Sequence, residues 1–529
     1  GASLTITYVN GHISGVADAA GNGASFEYEG NFLKKITNPD GKSMTFSYDS
    51  TGNLLTITDC LGNDYLTNRY DVFGKVVTQN IAGRGDSCVA YDTVSHTTIF
   101  TDEAGNATKY SFDEAGHVTG IELAGKGIRQ SYDADGRLAE QTDRLGNVTR
   151  MAYDESGRMN QVTYPDGSRE MISYNDRNYP VRIVNRDGSE SLYAYDDRNN
   201  LVSVRDERGN TCAYTYDEAD NLITYTDKEG HLWSYSYDAD HHLEQAEDPE
   251  GNCYRYSHDA IGRLVSYTSP AGKTLTRHYS ATGQLLRITD DAGTVTYDYN
   301  DNGGNISVTD RRGNSRRLEY DGIGQPVLAT DFMGNEYLFA YDQRGNLTKA
   351  TDPLGHCRSY VYDALGNCVA CTDKNGNTSE YTFDAASQLT EVKDAAGNLT
   401  QYAYDAMGRV TTVTDALENR TSYAYDVAGR LVSVTDALGY SVSYTYDHAG
   451  NLLTKTDENG AVISYTYDRE NRLSSVESDA GTIRFTYDPL GRVIAVQDED
   501  GNTENTTYDG DGNVTGFSDK EGSKTTYKY

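Results

Sequence analysis

A tyrosine followed by an aspartate returns about every 21 residues along almost the whole chain. In the middle of the chain the pairs are Tyr404-Asp405, Tyr425-Asp426, Tyr446-Asp447 and Tyr467-Asp468. An aromatic anchor at this phase can be followed from Tyr8 to Tyr529 in 25 steps, of which 19 are 21 residues long. A strict period of this length is typical of one supersecondary unit copied along the chain. We therefore expect residues 1–529 to form a single continuous repeat array.

The clearest repeats carry two turn signals of the form Asp-x-x-Gly. The first turn follows the tyrosine anchor directly, and the second turn begins ten residues after the first. Examples are Asp405 to Gly408, Asp426 to Gly429 and Asp436 to Gly439. Asp at the first position and Gly at the fourth are typical of a type I turn followed by a residue at positive φ. Gly adopts that conformation without a Cβ clash, and the Asp carboxylate accepts hydrogen bonds from nearby backbone N–H groups.

The segments between the turns predict short strands. They are rich in Val, Thr, Ser and Tyr, which favour strands, and their length is close to the commonest strand length. Two strands joined by a tight turn form an antiparallel hairpin. The sequence thus predicts an all-β fold of tandem repeats of about 21 residues, built as successive antiparallel β-hairpins. Strand twist should wind them into a spiralling sheet, either a curved strip or a hollow shell.

A Tyr-x-Tyr pair ends many of the strands. Tyr423 and Tyr425, and likewise Tyr444 and Tyr446, lie two residues apart, so each pair shares one face of the sheet. We expect these rings to stack from repeat to repeat into aromatic ladders. The alternative is a tyrosine-rich surface for binding a glycan or a peptide.

The chain is strongly acidic, with 80 Asp and Glu against 46 Lys and Arg and a net charge of −34. Nucleic-acid binding needs clustered basic residues, so we predict that this acidic chain does not bind nucleic acid. Much of the acidity belongs to the turns, because 37 of the acidic residues are Asp at the first position of a first or second turn. We expect these carboxylates to lie at the surface with ordinary pKa values.

The repeat resembles the YD repeats of the RHS family. The pattern is clearest at Tyr404 to Asn419, at Tyr341 to Gly355 and at Tyr216 to His231, and copies of it cover almost the whole chain. The family includes bacterial polymorphic toxins, wall-associated proteins, toxin-complex C subunits and teneurins. The resemblance implies a spiralling β-sheet shell that, in the toxins, encapsulates a C-terminal toxic domain. It also implies a bacterial protein that is secreted or exposed on the cell surface.

The chain departs from the full family plan. No segment resembles the family's core after the repeats, so there is no candidate for its self-cleaving aspartate. The chain starts without Met and stops on an anchor. We therefore expect a fragment of a longer protein that forms an open shell or a curved strip.

Several short motifs invite a chemical interpretation, and a structural role in the repeat explains them more simply, as a small buried residue at Cys368 and as turns at the other motifs. Cys368 and Cys371 form a CxxC without the second ligand pair that zinc requires. Asp509 to Asn513 begins like a calcium loop but has Lys520 where the bidentate Glu belongs. Arg84-Gly85-Asp86-Ser87 spells an integrin-type tetrapeptide on a turn. No histidine belongs to a recognisable nucleophile motif. The seven cysteines are scattered and odd in number, which argues against a disulfide framework.

We therefore predict a structural, non-catalytic protein without a catalytic, cofactor or metal site. The partner implied by the resemblance is a C-terminal toxin domain encapsulated or displayed by the parent protein. The alternative is a surface adhesin that binds a glycan or a protein through its tyrosines, and exposed tyrosine faces would favour it. The residues predicted to define the repeat are Tyr404, Asp405, Gly408, Tyr423, Tyr425, Asp426, Gly429, Asp436, Gly439, Tyr444, Tyr446 and Asp447.

Overall fold

The computed structural model describes residues 3–82 and 84–529, and these residues form one antiparallel sheet of 51 strands. Within these two ranges there is no helix, and so none that could cross a membrane. Consecutive strands pair with each other, as in β41 with β42 and β42 with β43. The predicted all-β architecture of successive antiparallel hairpins is confirmed.

The strands are three to seven residues long. The first 26 are β1 Thr5–Val9, β2 His12–Ala17, β3 Gly23–Glu29, β4 Phe32–Thr37, β5 Ser43–Tyr48, β6 Leu54–Thr58, β7 Asp64–Tyr70, β8 Val76–Ile81, β9 Asp86–Asp92, β10 Thr97–Thr101, β11 Ala107–Phe112, β12 Val118–Leu123, β13 Lys126–Tyr132, β14 Leu138–Thr142, β15 Val148–Tyr153, β16 Met159–Thr163, β17 Arg169–Tyr174, β18 Pro180–Val184, β19 Glu190–Tyr195, β20 Leu201–Arg205, β21 Thr211–Tyr216, β22 Leu222–Thr226, β23 Leu232–Tyr237, β24 Leu243–Glu247, β25 Cys253–His258 and β26 Leu264–Thr268. The others are β27 Thr274–Tyr279, β28 Leu285–Asp290, β29 Gly293–Tyr299, β30 Asn305–Thr309, β31 Ser315–Tyr320, β32 Pro326–Thr330, β33 Glu336–Tyr341, β34 Leu347–Thr351, β35 Cys357–Tyr362, β36 Cys368–Thr372, β37 Thr378–Phe383, β38 Leu389–Lys393, β39 Leu399–Tyr404, β40 Val410–Thr414, β41 Arg420–Tyr425, β42 Leu431–Thr435, β43 Ser441–Tyr446, β44 Leu452–Thr456, β45 Val462–Tyr467, β46 Leu473–Ser478, β47 Gly481–Tyr487, β48 Val493–Gln497, β49 Thr503–Tyr508, β50 Val514–Ser518 and β51 Lys524–Thr526.

A β-bulge marks the first-turn end of the hairpins. In β41–β42, Ala424 pairs with Ser433 but Tyr425 pairs with Leu431, so one residue of β42 has no partner. The same shift accompanies the anchor in neighbouring hairpins. A bulge of this kind disrupts the ladder locally and increases the twist of the strands. The repeat thus places a β-bulge next to every such anchor.

The two faces of the sheet differ in exposure. In β43, Val442, Tyr444 and Tyr446 are half-buried, whereas Ser443 and Thr445 on the opposite face are exposed. The buried hydrophobic residues among those described are only Val184, Cys212, Ala246 and Val308, and none of them is fully buried. The sheet is therefore held by strand pairing and half-buried side chains rather than by a thick core.

The chain divides into two compact units. The first comprises the described residues of 1–146, 258–266 and 274–399, and the second comprises 147–257, 267–273 and 400–529. Each unit contains an earlier run and a later run of hairpins. The prediction that residues 1–529 form one continuous array stays a prediction.

Candidate functional surface: the interlocking turns

The turns are built from backbone hydrogen bonds that the Asp carboxylate completes. In the first turn at Asp426, the N–H of Gly429 donates to the Asp426 carbonyl at 3.0 Å, and the N–H of Asp426 donates to the Arg430 carbonyl at 3.0 Å. The N–H of Arg430 donates to Asp426 Oδ1 at 2.9 Å. In the second turn, Asp436 Oδ1 accepts from the N–H of Leu438 and of Tyr440, both at 2.9 Å.

The fourth residue of these turns has a positive φ. The angle is 77° at Gly408, 90° at Gly429 and 89° at Gly439. A few turns place another residue there, such as Glu418 with a φ of 65°. These residues adopt a conformation that costs little only for Gly.

Hydrogen bonds also lower the pKa of several turn carboxylates, which corrects the expectation of ordinary pKa values for those groups. Side-chain and backbone hydrogen bonds from Asn419 lower the pKa of Asp415. Burial acts to raise the pKa of Asp405, but hydrogen bonds from Arg409 outweigh it and the pKa is lowered. A carboxylate that accepts several hydrogen bonds is stabilised in its charged form. These carboxylates are therefore ionised near neutral pH. They stabilise the turns and are unsuited to donating a proton.

The arginine that follows many first turns joins one repeat to the next. Arg430 donates from Nε to Asp426 Oδ2 at 2.6 Å and from Nη1 to the carbonyl of Asp447 at 2.7 Å. Its guanidinium also lies over the ring of Tyr446, 5.4 Å from the ring centre. Arg409 makes the same contacts with Asp405, with the Asp426 carbonyl and with the Tyr425 ring.

This arrangement corrects the predicted tyrosine ladders. Among the described residues, neighbouring aromatic rings contact each other in some repeats, for example Tyr214 of β21 with Tyr225 of β22 at 5.2 Å. Where the first turn is followed by Arg, the anchor ring packs against that guanidinium instead, as Tyr446 does. The reason is the length of one repeat, which puts the arginine of one copy over the anchor of the next. Tyr444 lies on the same face as Tyr446 and is half-buried.

The hydroxyl group of the anchor has a partner of its own. Tyr446 donates to the carbonyl of Leu431 at 2.9 Å, and Tyr425 donates to the carbonyl of Val410 at 2.9 Å. The acceptor lies at the bulge of the preceding hairpin, where the ladder is disrupted. Phe383 occupies the anchor position without a hydroxyl group. The hydrogen bond explains why the anchor is usually Tyr rather than Phe.

In the second unit, the second turns of the earlier run interlock with the first turns of the later run. We call this contact the turn seam. Arg208 donates from Nη1 to the Asp468 carbonyl at 2.7 Å and to Asn471 Oδ1 at 2.9 Å. Glu229 accepts from the N–H of Arg469 at 2.7 Å, and Glu470 accepts from the N–H of Lys228. Each of two opposing turns thus places a glutamate on the backbone of the other.

Further ion pairs extend the seam of the second unit. Arg430 Nη2 lies 3.3 Å from Asp187 Oδ2, and Arg492 Nη2 lies 2.7 Å from Glu250 Oε2. Burial acts to raise the pKa of Asp187, but hydrogen bonds from Ser189 and the charge of Arg430 outweigh it and lower the pKa. Arg430 therefore makes contacts within its own turn, with the next repeat and across the seam.

The first unit has the same kind of seam. Asn302 Nδ2 donates to Asp59 Oδ2 at 2.8 Å, and the N–H of Cys60 donates to Asn302 Oδ1 at 3.1 Å. Arg344 Nε lies 3.0 Å from Asp102 Oδ2. Hydrogen-bonded partners in the two seams are separated by 240 to 263 residues. This separation exceeds a whole number of 21-residue repeats by about half a repeat. Second turns therefore face first turns rather than other second turns.

The seam explains an unusual pattern of burial. The buried polar residues include the first positions of several second turns, namely Asp59, Asp206, Asp227, Asp248 and Ser269. These turns belong to the earlier runs. Their burial is a consequence of the later run that packs on them, because an isolated hairpin turn is exposed to solvent. Charged groups placed in such a position need partners. Asn302 supplies one to Asp59 across the seam, whereas Lys228 pairs with Asp206 and His231 with Asp227 within the earlier run.

A cleft of about 1,030 Å³ lies along the seam of the first unit. Its lining includes Asp40, Cys60, Asn302 and Arg317, and the ion pair of Lys42 with Asp301 at 2.8 Å is part of its wall. Some of its polar groups are bonded across the seam, as Asn302 is to Asp59 and Lys42 to Asp301. We interpret the cleft as a gap between interlocking turns.

The other motifs named from the sequence lie on ordinary repeat positions. Cys368 lies in β36, its Sγ donates to the Ala370 carbonyl at 3.4 Å, and burial raises the pKa of its thiol. Asp509 accepts from the N–H groups of Asp511 and Asn513, as other turn aspartates do. Asp86 accepts from Asn80 at 3.0 Å. Gly83, beside the Arg84 tetrapeptide, lies outside the described residues.

The seam residues were not found from the sequence. Arg208, Glu229 and Glu470 occupy turn tips, and the period alone gives no reason to pair them. The one available signal was the charge at these tips, where many other copies have Ala or Leu. That signal marks unusual turns but does not identify the partner of each.

Two family models match the sequence. The model described as Teneurin YD-shell matches residues 268–402 and 333–474. The model described as RHS Repeat matches residues 28–64, 132–169, 195–232, 216–252, 237–274 and 467–503. No curated protein matches the chain.

Several solved structures have a similar fold. The crystal structure of TcdB2-TccC3 aligns with a TM-score of 0.65 at 15% identity, over 97% of this chain and 35% of that chain. The crystal structure of TcdB2-TccC3-Cdc42 aligns with a TM-score of 0.63 at 14% identity, over 99% and 39%. The Tc holotoxin pore of Photorhabdus luminescens aligns with a TM-score of 0.61 at 13% identity, over 97% and 37%. The chain thus spans little more than a third of these chains, and at such identities the likeness concerns the fold.

Proposed function

Because this chain belongs to the RHS/YD-repeat family, we propose that it is a structural wall segment of a large secreted or surface-exposed bacterial protein. The wall houses or displays an effector carried by the parent protein, and it does no chemistry itself. The similarity to TcdB2-TccC3 supports this proposal at the level of the fold. The chain spans only part of such proteins, so the effector would belong to another segment.

The turn seam is the observation that carries the proposal. A strip of hairpins has a row of turns along each side, and two runs of hairpins stay together only where their rows of turns contact each other. Here the turns of one run close onto the turns of another through ion pairs and backbone hydrogen bonds, as at Arg208 and Asp468. A sheet wall that keeps an enclosed effector from solvent needs such contacts between its runs of hairpins. The carboxylates of the turns accept hydrogen bonds within the turns and across the seam, which supports a non-catalytic role.

The adhesin hypothesis receives less support. A tyrosine surface that binds glycans needs rings and hydroxyl groups that face solvent. The anchor rings of Tyr425 and Tyr446 are half-buried under arginines, and their hydroxyl groups donate to backbone carbonyls. We therefore do not adopt a glycan or cell-surface partner.

Limited proteolysis of the longer protein that contains this array tests the proposal. We expect its effector segment to resist cleavage while the seam is intact. The triple variant Arg208→Ala, Glu229→Gln, Glu470→Gln should expose that segment and speed its cleavage. Arg198→Ala, which removes an exposed ion pair with Asp220, is the matched control and should leave protection unchanged. An effector cut as fast in the wild type as in isolation would refute encapsulation.

Small-angle scattering of the 529-residue chain gives an independent measurement. Hairpins coiled around a cavity should shift the distance distribution to large separations while the maximum dimension stays compact. A long-tailed distribution would instead favour an extended scaffold that displays its effector.

A further inference from the structure

We draw no further inference here: the strongest candidate, the cleft of about 1,030 Å³ along the seam of the first unit, belongs to the surface already described, and its exposed carboxylates at Asp40 and Asp298 have no second feature beside them that points to a ligand.

Discussion

Glu229 accepts a hydrogen bond of 2.7 Å from the backbone N–H of Arg469, which lies 240 residues further along the chain. The opposing turn returns the contact through Glu470 and the N–H of Lys228. A pair of turns far apart in sequence is thus joined by two carboxylates that each satisfy a backbone donor. Hydrogen bonds in which the acceptor is charged are among the stronger ones in proteins.

Replacement of Arg208 by Ala should destabilise the second unit most among single changes in the seam. It removes the donors to the carbonyl of Asp468 and to Asn471, and it leaves partly buried acceptors without partners. We expect a loss of about 2–3 kcal/mol in the free energy of unfolding measured with urea. The exposed pair of Arg198 and Asp220 provides the control, and Arg198→Ala should cost less than about 1 kcal/mol. Equal effects of the two changes would show that the seam adds nothing.

Replacement of Tyr425 by Phe removes only a hydroxyl group. The bond from this hydroxyl to the carbonyl of Val410 is lost, so we expect a cost of about 1 kcal/mol in the free energy of unfolding. Tyr423 lies on the same face without such a bond among the described residues, and Tyr423→Phe should be nearly neutral. The reverse change Phe383→Tyr should be neutral or stabilising, because it restores the usual anchor. A neutral Tyr425→Phe variant would contradict this role of the anchor hydroxyl.

The fourth position of the turns gives a test in two directions. Gly439 has a φ of 89°, and a Cβ there would meet no atom within 4 Å, so Gly439→Ala tests backbone strain alone. We expect it to cost about 1 kcal/mol in thermal or urea unfolding. Glu418 has a φ of 65° at the equivalent position, and Glu418→Gly should stabilise by a similar amount. Opposite signs for the two changes are the expected result, and a destabilising Glu418→Gly would show that backbone strain does not govern this position.

The stability of the protein should fall in acid. The pKa values of Asp405 and Asp415 are lowered in the folded state, and the Lys520 ammonium group brings that of Asp498 to about 2. A carboxylate with a depressed pKa contributes stability above its unfolded value of about 3.9 and loses it as the pH falls through its folded value. We expect stability to decline below about pH 4 and to keep declining towards pH 2. Urea unfolding across this range measures it, and a midpoint that rises in acid would contradict the assignment.

Alkaline pH should have a parallel effect through the tyrosines. Burial raises the pKa of Tyr225 to about 12, and burial together with the charge of Asp248 raises that of Tyr254 to about 12. A group whose folded pKa is raised contributes stability below its unfolded value of about 10 and loses it as the pH rises through the folded value. The absorbance of phenolate during alkaline titration should therefore show a late-titrating fraction. Tyr225→Phe and Tyr254→Phe should each reduce that fraction, and an unchanged titration curve would contradict the prediction.

Local features of the repeat could be predicted because they depend on residues close in sequence. Asp426, Gly429 and the anchor Tyr425 specify a turn and a strand end whatever lies elsewhere, since Asp caps its own turn and Gly tolerates a positive φ. The contacts of Arg430 with the next repeat were missed. They depend on how far one copy advances in space, which sequence spacing alone does not state. The partner of the Tyr446 hydroxyl was also missed, because it exists only where a bulge disrupts the ladder.

The sequence by itself determined the repeat, its two turns, its antiparallel hairpins and the acidity of the surface. Only the tertiary structure decided that Arg208 meets Asp468 and that Asp59 meets Asn302. Copies that resemble one another cannot specify which turn faces which. Which turn faces which follows from the strand twist and curvature that add up over the roughly 240 residues between partners. A small change in twist per hairpin would therefore shift every partner in the seam.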